Sequence, residues 1–270
     1  MPQRSAHVSP ETRMKDNKTR AFELDLLRGV AIIMMVFMHL SYDVRYEFGQ
    51  DIFSYLESSW FWVFVHPIIT GLFVSLSGIC CSMSRNNFKR GLKLLAVALA
   101  FTVVTSLITR FTDIYILILF NVLHVLAVSI IIYALVDLIE KKTRISSNAV
   151  TLILALTGIY IVLLNNNIHM YDYSSDKLPL LIFGITVDGE PAMADYMPLI
   201  PWAGVFLIGS SVGRILYSEK KTLFPDRSEV IRKFTRPLEF LGRHSLLIYL
   251  VHQVVGYGIL WLIFKIAGKI

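Results

Sequence analysis

Seven apolar blocks, each close to the length that crosses a bilayer, constrain this chain more than any other feature of its sequence. They span residues 22–41, 60–83, 91–109, 114–138, 148–164, 198–217 and 245–267. A helix needs about 20 mostly apolar residues to traverse the hydrocarbon core. The expected fold is therefore all-α, a polytopic bundle of about seven transmembrane helices. The first block is interrupted near its start by Glu23, Asp25 and Arg28; the fifth is short but carries no charge. Only 17% of the residues are charged, where a soluble domain carries roughly a quarter.

Charge sets the expected orientation. With the N-terminus in the cytoplasm, the inner segments are 1–28, 84–93, 139–147 and 214–243, and they hold 21 of the 26 Lys and Arg residues. The outer segments hold Arg45, Arg110, Lys177, Lys265 and Lys269. This is the positive-inside pattern, repeated at each loop. It accounts for the net charge of +6 without a nucleic-acid partner. The N-terminal stretch does not read as a secretory signal, because Arg28 interrupts a late apolar core and no small-residue cleavage site follows. Residues 1–20 are polar and aperiodic and are expected to form a disordered cytoplasmic tail, ahead of one transmembrane domain over 21–270. The expected location is the plasma membrane.

Several lesser features have their own readings. Adjacent Cys80 and Cys81 near an inner helix end suit small buried apolar residues better than a structural disulfide. The outer segment 165–197 carries Asp172, Asp176, Asp188, Glu190 and Asp195 against one Lys177, and a loop of that length is often functional. The basic inner segment 218–243 contains a stretch, 228–241, expected to lie as a surface helix on anionic lipid. Gly209 and Gly213 form a small-xxx-small seam for close helix packing. Thr102, Thr105, Ser106 and Thr109 share a face suited to interhelical hydrogen bonds.

Ionisable side chains inside a membrane are costly, so each is a functional candidate. Arg28 and His39 lie eleven residues apart, which returns a helix to within about 20° of the same face and separates them by about 16 Å along the axis. Asp43 follows one turn beyond His39, placed to orient its imidazole. This stripe suits a long ligand with a phosphorylated head near Arg28, whose planar fork fits phosphate, and a reactive end near His39, which suits acid–base chemistry at neutral pH. A competing reading has Arg28 snorkelling to the interface and His39 bonding a neighbouring helix. His66, before Pro67, lies in the outer third of the second block. His124, with Asn121 a turn earlier, is expected mid-membrane. His252 and Gln253 lie about a third of the way along the seventh block. No two histidines on one helix have metal-pair spacing, and no Cys or carboxylate completes such a site. No phosphate-binding loop, dinucleotide fingerprint or nucleophile elbow occurs.

The run from Glu23 through Arg28-Gly29 to His39 and Asp43 resembles the opening of the heparan-alpha-glucosaminide N-acetyltransferase catalytic-domain family, known in bacteria as a domain of unknown function. Similar stretches follow in order: 72–78; Ile114-Tyr115 with 121–127; 195–202, ending at Trp202, with Gly209; and 241–253, ending in His252-Gln253. The Arg28-to-His39 spacing also resembles the signature of the wider transmembrane acyltransferase superfamily. The resemblance implies transfer of an acyl group, expected to be acetyl, from cytoplasmic acyl-CoA to an extracytoplasmic glycan or glycolipid, with acetyl-CoA as donor substrate. It implies that Arg28 holds the CoA end and that His39, with Asp43 and His66, forms the catalytic group. Asn121, His124, Asp195, Trp202, His252 and Gln253 are further pocket candidates. Eukaryotic members place their proposed catalytic histidine in the outer loop before the second helix; here residues 43–59 contain no histidine, so either His39 or His66 takes that part or the chemistry differs. The alternative function is a proton-coupled transporter or flippase that uses the intramembrane histidines, and a third is an idle scaffold. The expected partners are acyl-CoA, the acceptor and membrane lipid, with room for a homodimer.

Overall fold

The computed structural model describes residues 21–113, 115–170, 174–189, 191, 193 and 195–269. The N-terminal tail, Asp172 and Glu190 lie outside the described residues. Eight α-helices order these residues: α1 (Phe22–Tyr42), α2 (His66–Met83), α3 (Asn87–Phe111), α4 (Val122–Thr143), α5 (Ser147–Met170), α6 (Leu199–Leu216), α7 (Glu229–Arg243) and α8 (Ser245–Ile266). Seven of the described helices are long and apolar enough to cross a membrane, α7 being the exception. The chain is an all-α, multi-pass membrane protein. Two two-residue strands, Ser174–Ser175 and Thr186–Val187, pair in parallel within the 165–197 segment. The described residues form two compact units, one of 21–73 with 219–269 and one of 74–218.

In the second unit, glycine sets the helix spacing. A Cβ added at Gly209 would lie 2.4 Å from the Ser75 carbonyl oxygen, and one at Gly213 2.5 Å from that of Ile79. From the other side, Gly78 faces the Phe206 carbonyl at 2.2 Å. Backbones therefore touch along the α2–α6 seam, as the Gly209/Gly213 spacing predicts, and dispersion between them replaces the hydrophobic drive that lipid cannot supply. Arg214 of α6 donates to both carboxylate oxygens of Glu140 on α4 at 2.7 and 2.8 Å, and to Ser147 and Thr151 of α5. This Arg214 cluster ties three helix ends, a role that its place in a basic loop did not suggest.

The fourth helix departs from the sequence expectation. It starts at Val122 rather than at 114, and residues 115–120 are not helical. Asn121 caps it: its side chain accepts from the Leu123 N–H. Irregular backbone at membrane depth must find polar partners in protein, and the α3 threonines supply them. The Ile116 N–H donates to Thr109 Oγ1 at 3.1 Å, the Ile118 N–H to Thr105 Oγ1 at 3.3 Å, and Thr102 Oγ1 to the Leu119 carbonyl at 3.4 Å. Hydropathy alone cannot separate this braced extended segment from a helix.

In the first unit, α1 runs past its expected end at residue 41 and continues as a π-turn over Asp43–Glu47. Asp43 is thus part of the helical rod. The segment 228–241 forms α7, capped by Ser228, and its register against α1 is fixed by two glycines. An added Cβ at Gly29 would lie 2.0 Å from the Leu238 carbonyl, and one at Gly242 1.8 Å from that of Asp25. Glu23 accepts from the Thr222 hydroxyl at 2.7 Å and the Leu223 N–H at 2.9 Å. Arg227 donates to Glu239 and stacks over the Phe22 ring. The acidic residues that interrupt the first apolar block are thereby partly explained, since Glu23 is a buried acceptor for the loop that precedes α7.

Candidate active site

Helix α1 carries Arg28 and His39, and the π-turn that continues it begins with Asp43; α8 carries His252 and Gln253. The two helices run parallel. Leu40 packs at Gly256, whose added Cβ would meet the Leu40 side chain at 2.5 Å. Further along, Phe48 stacks on Phe264 with ring centroids 4.8 Å apart, and Val44, Phe48 and Phe264 form a buried cluster with Phe53 and Leu260. Contacts therefore ascend together on both helices. That is what the first and last of seven successive crossings require, because alternate crossings reverse direction.

This register brings two imidazoles together. The His39 and His252 ring centroids lie 4.9 Å apart with an interplanar angle of 83°. His39 Nδ1 lies 2.9 Å from the Met35 carbonyl, and His252 Nδ1 lies 2.7 Å from that of Tyr249. A carbonyl can only accept, so each Nδ1 carries the proton in these bonds. In the neutral ring the lone pair then sits on Nε2, the form a general base needs. Four residues beyond His39, the buried Asp43 carboxylate accepts from Gln253 Nε2 through both oxygens, at 2.9 and 3.0 Å. The His39 imidazole lies within electrostatic reach of that carboxylate. The direct contact on His39 is thus a backbone carbonyl rather than the Asp43 side chain, and Asp43 ties α1 to α8 through Gln253.

Arg28 sits about 16 Å back along the same helix at 1.5 Å per residue. Its side chain is 25% exposed, and its ion pair with Asp25, at 3.8 Å, is longer than a hydrogen bond. The donor fork is thus not spent on that contact.

The other predicted residues have their own surroundings. His66 opens α2 after a π-turn at Phe61–Val65, and its ring meets that of Trp62 with centroids 5.1 Å apart, tilted by 48°. His124 lies in the first turn of α4. His124 Nε2 lies 3.2 Å from Thr102 Oγ1 of α3, and Nδ1 lies 3.0 Å from Asn121 Oδ1 and 3.3 Å from the Asn121 backbone nitrogen. The Nδ1 side thus serves the helix cap, and the Nε2 side ties α4 to α3. Asp195, exposed and at φ 53°, and half-buried Trp202 belong, with Asn121 and His124, to the second unit. Among the described residues, no group of three or more His, Cys, Asp or Glu side chains could hold a metal ion. Sequence reasoning named His252 and Gln253 but did not join them to His39 and Asp43. It missed the carbonyls of Met35 and Tyr249, for which no side-chain pattern gives a signal.

The family model described as heparan-alpha-glucosaminide N-acetyltransferase, catalytic, matches residues 20–254. No curated protein and no solved structure matches the chain.

Proposed function

From the chain's membership of the heparan-alpha-glucosaminide N-acetyltransferase catalytic family, we propose that it transfers an acetyl group from cytoplasmic acetyl-CoA to a hydroxyl or amine of a glycan or glycolipid across the membrane. The family makes it a membrane transferase; the donor, the acceptor and the residue roles are this proposal. The observation that carries it is the His39–His252 pair, with Nδ1 of each ring pinned to a backbone carbonyl and His39 on the helix that bears Arg28.

Arg28 receives a CoA phosphate through charge-assisted bonds, and the thioester reaches outward toward His39. His39 Nε2 takes the proton of the acceptor as its oxygen or nitrogen attacks the thioester carbonyl. The carbon–sulfur bond breaks, and the departing thiolate takes that proton from the imidazolium, leaving CoA as the free thiol and His39 neutral. Asp43, held by Gln253, favours the transient imidazolium by its charge. Orientation follows the positive-inside pattern, with the Arg28 end cytoplasmic. A proton relay through the histidines is less well supported, because His124 meets its own helix cap through Nδ1 and Thr102 of α3 through Nε2.

The test is transfer of labelled acetyl from acetyl-CoA to a panel of membrane glycans, in sealed proteoliposomes that hold donor and acceptor on opposite sides. His39→Ala is expected to lower turnover by about 10²–10⁴-fold, the usual contribution of a positioned base, with donor binding retained. Full turnover in a folded His39→Ala protein would overturn the assignment.

A further inference from the structure

Helix α7 has three distinct faces, and the docking on α1 uses only one. At 100° per residue, Leu238, Glu239 and Gly242 fall on one arc, and these are the positions set against α1. A second arc, about 120° away on the same wheel, holds Val230, Phe234 and Pro237; Val230 is 65% and Phe234 76% exposed. The third holds Arg232, Lys233, Arg236 and Arg243, all exposed. Leu223 and Phe224, in the loop that Glu23 pins to α1, are exposed as well.

The position of α7 limits what can cover these faces. Only His244 separates α7 from α8, a candidate membrane span that begins at Ser245. Its other anchors are Asp25 and Gly29, in the first two turns of α1, itself a candidate span. The helix is thus held at the boundary between the hydrocarbon and the headgroups, where an apolar arc and a basic arc on one helix match the two layers on either side. The local acids do little to cancel the cations. Glu229 pairs with Arg232 at 2.7 Å and Glu219 with Lys221 at 3.2 Å, both exposed, and such pairs yield readily.

We infer that α7 is a docking surface for anionic phospholipid: Val230 and Phe234 enter the acyl-chain layer, and Lys233 and Arg236, with Arg232 and Arg243, hold the phosphates of the headgroups. The inference stands apart from the chemistry at His39. It gives α7 the task of fixing the depth of α1, and with it the depth of Arg28.

The test uses the full chain with Cys80 and Cys81 replaced, in liposomes of phosphatidylcholine with or without phosphatidylglycerol. A spin label at Phe234→Cys is expected to collide with oxygen in preference to a water-soluble nickel chelate, and one at Arg232→Cys to show the reverse. Native mass spectrometry of the mixed-lipid sample is expected to find phosphatidylglycerol enriched on the wild type. Lys233→Gln with Arg236→Gln should reduce that enrichment, by roughly fivefold for each cation lost. Ready access of the chelate to position 234, or unchanged enrichment in the double variant, overturns the inference. Loss of the wild-type enrichment on adding millimolar CoA would make the cations a soluble phosphate site, and shielding at 234 that grows with protein concentration would assign the apolar arc to a second copy; both also overturn it.

Discussion

The bond between Gln253 and Asp43 is the contact most open to quantitative test. Asp43 is 3% exposed, and both of its oxygens accept from the same amide, at 2.9 and 3.0 Å. A hydrogen bond to a charged group contributes about 1.5–3 kcal/mol in soluble proteins. In a membrane the reference state also finds partners, and measured couplings average ~0.6 with a maximum of ~1.7 kcal/mol. The charge and the contact with both oxygens place this pair near the top of that range, at ~1–1.7 kcal/mol. A double-mutant cycle with Asp43→Ala and Gln253→Ala, read by SDS unfolding in mixed micelles, isolates the coupling. Asp43→Asn serves as a control that keeps the shape and one amide contact, and it should recover part of the loss. Turnover should fall less in Gln253→Ala than in His39→Ala, because Gln253 acts on the base only through Asp43. Additive single-mutant effects, with a coupling under ~0.5 kcal/mol, would show that the two side chains do not stabilise each other and would remove Asp43 from the site.

Arg28→Lys keeps the charge but loses the planar fork, so it should weaken CoA binding in a calorimetric titration while leaving the melting temperature unchanged; Arg28→Ala should weaken it further, and tight binding by Arg28→Ala would refute the donor assignment. Reporter fusions at Lys142, Asp176 and after residue 269 should read cytoplasmic, outside and outside, as seven crossings and the loop charges require. Gly209→Val would drive side-chain carbons into the Ser75 backbone, from which an added Cβ alone would lie 2.4 Å. It should cost about 1–3 kcal/mol by overpacking, visible as a lower midpoint in SDS titration with the Asp43–Gln253 coupling intact.

The sequence reveals the crossings because hydropathy is a sum over about twenty residues and tolerates local irregularity. For the same reason it misplaces the start of α4. Residues 115–120 are apolar enough to belong to a helix, and the sign against it was a short-range one, Asn121 with His124 three residues on, which is capping chemistry. The threonines of α3 were legible as a polar face, but their partners, the backbone groups of that extended segment, were not. The shared face of Arg28 and His39 follows from helical periodicity alone. What periodicity cannot give is which helix that face meets. The His39–His252 and Asp43–Gln253 contacts join residues more than two hundred positions apart, and no local pattern encodes such a pairing. Glu23 reads in sequence as a flaw in an apolar block, yet it is the acceptor on which the loop before α7 is fastened.

The parallel pairing of α1 with α8 also sets an order in time. Helix α1 leaves the ribosome before α8, and the amide that binds Asp43 is 210 residues behind it. At about 5–20 residues per second, the first helix waits roughly ten to forty seconds in the membrane with its carboxylate and its imidazole still lacking the partners that α8 brings. A chain that stops anywhere before Gln253 therefore carries, inside its α1 crossing, an acid that lacks the amide bound to it in the full chain.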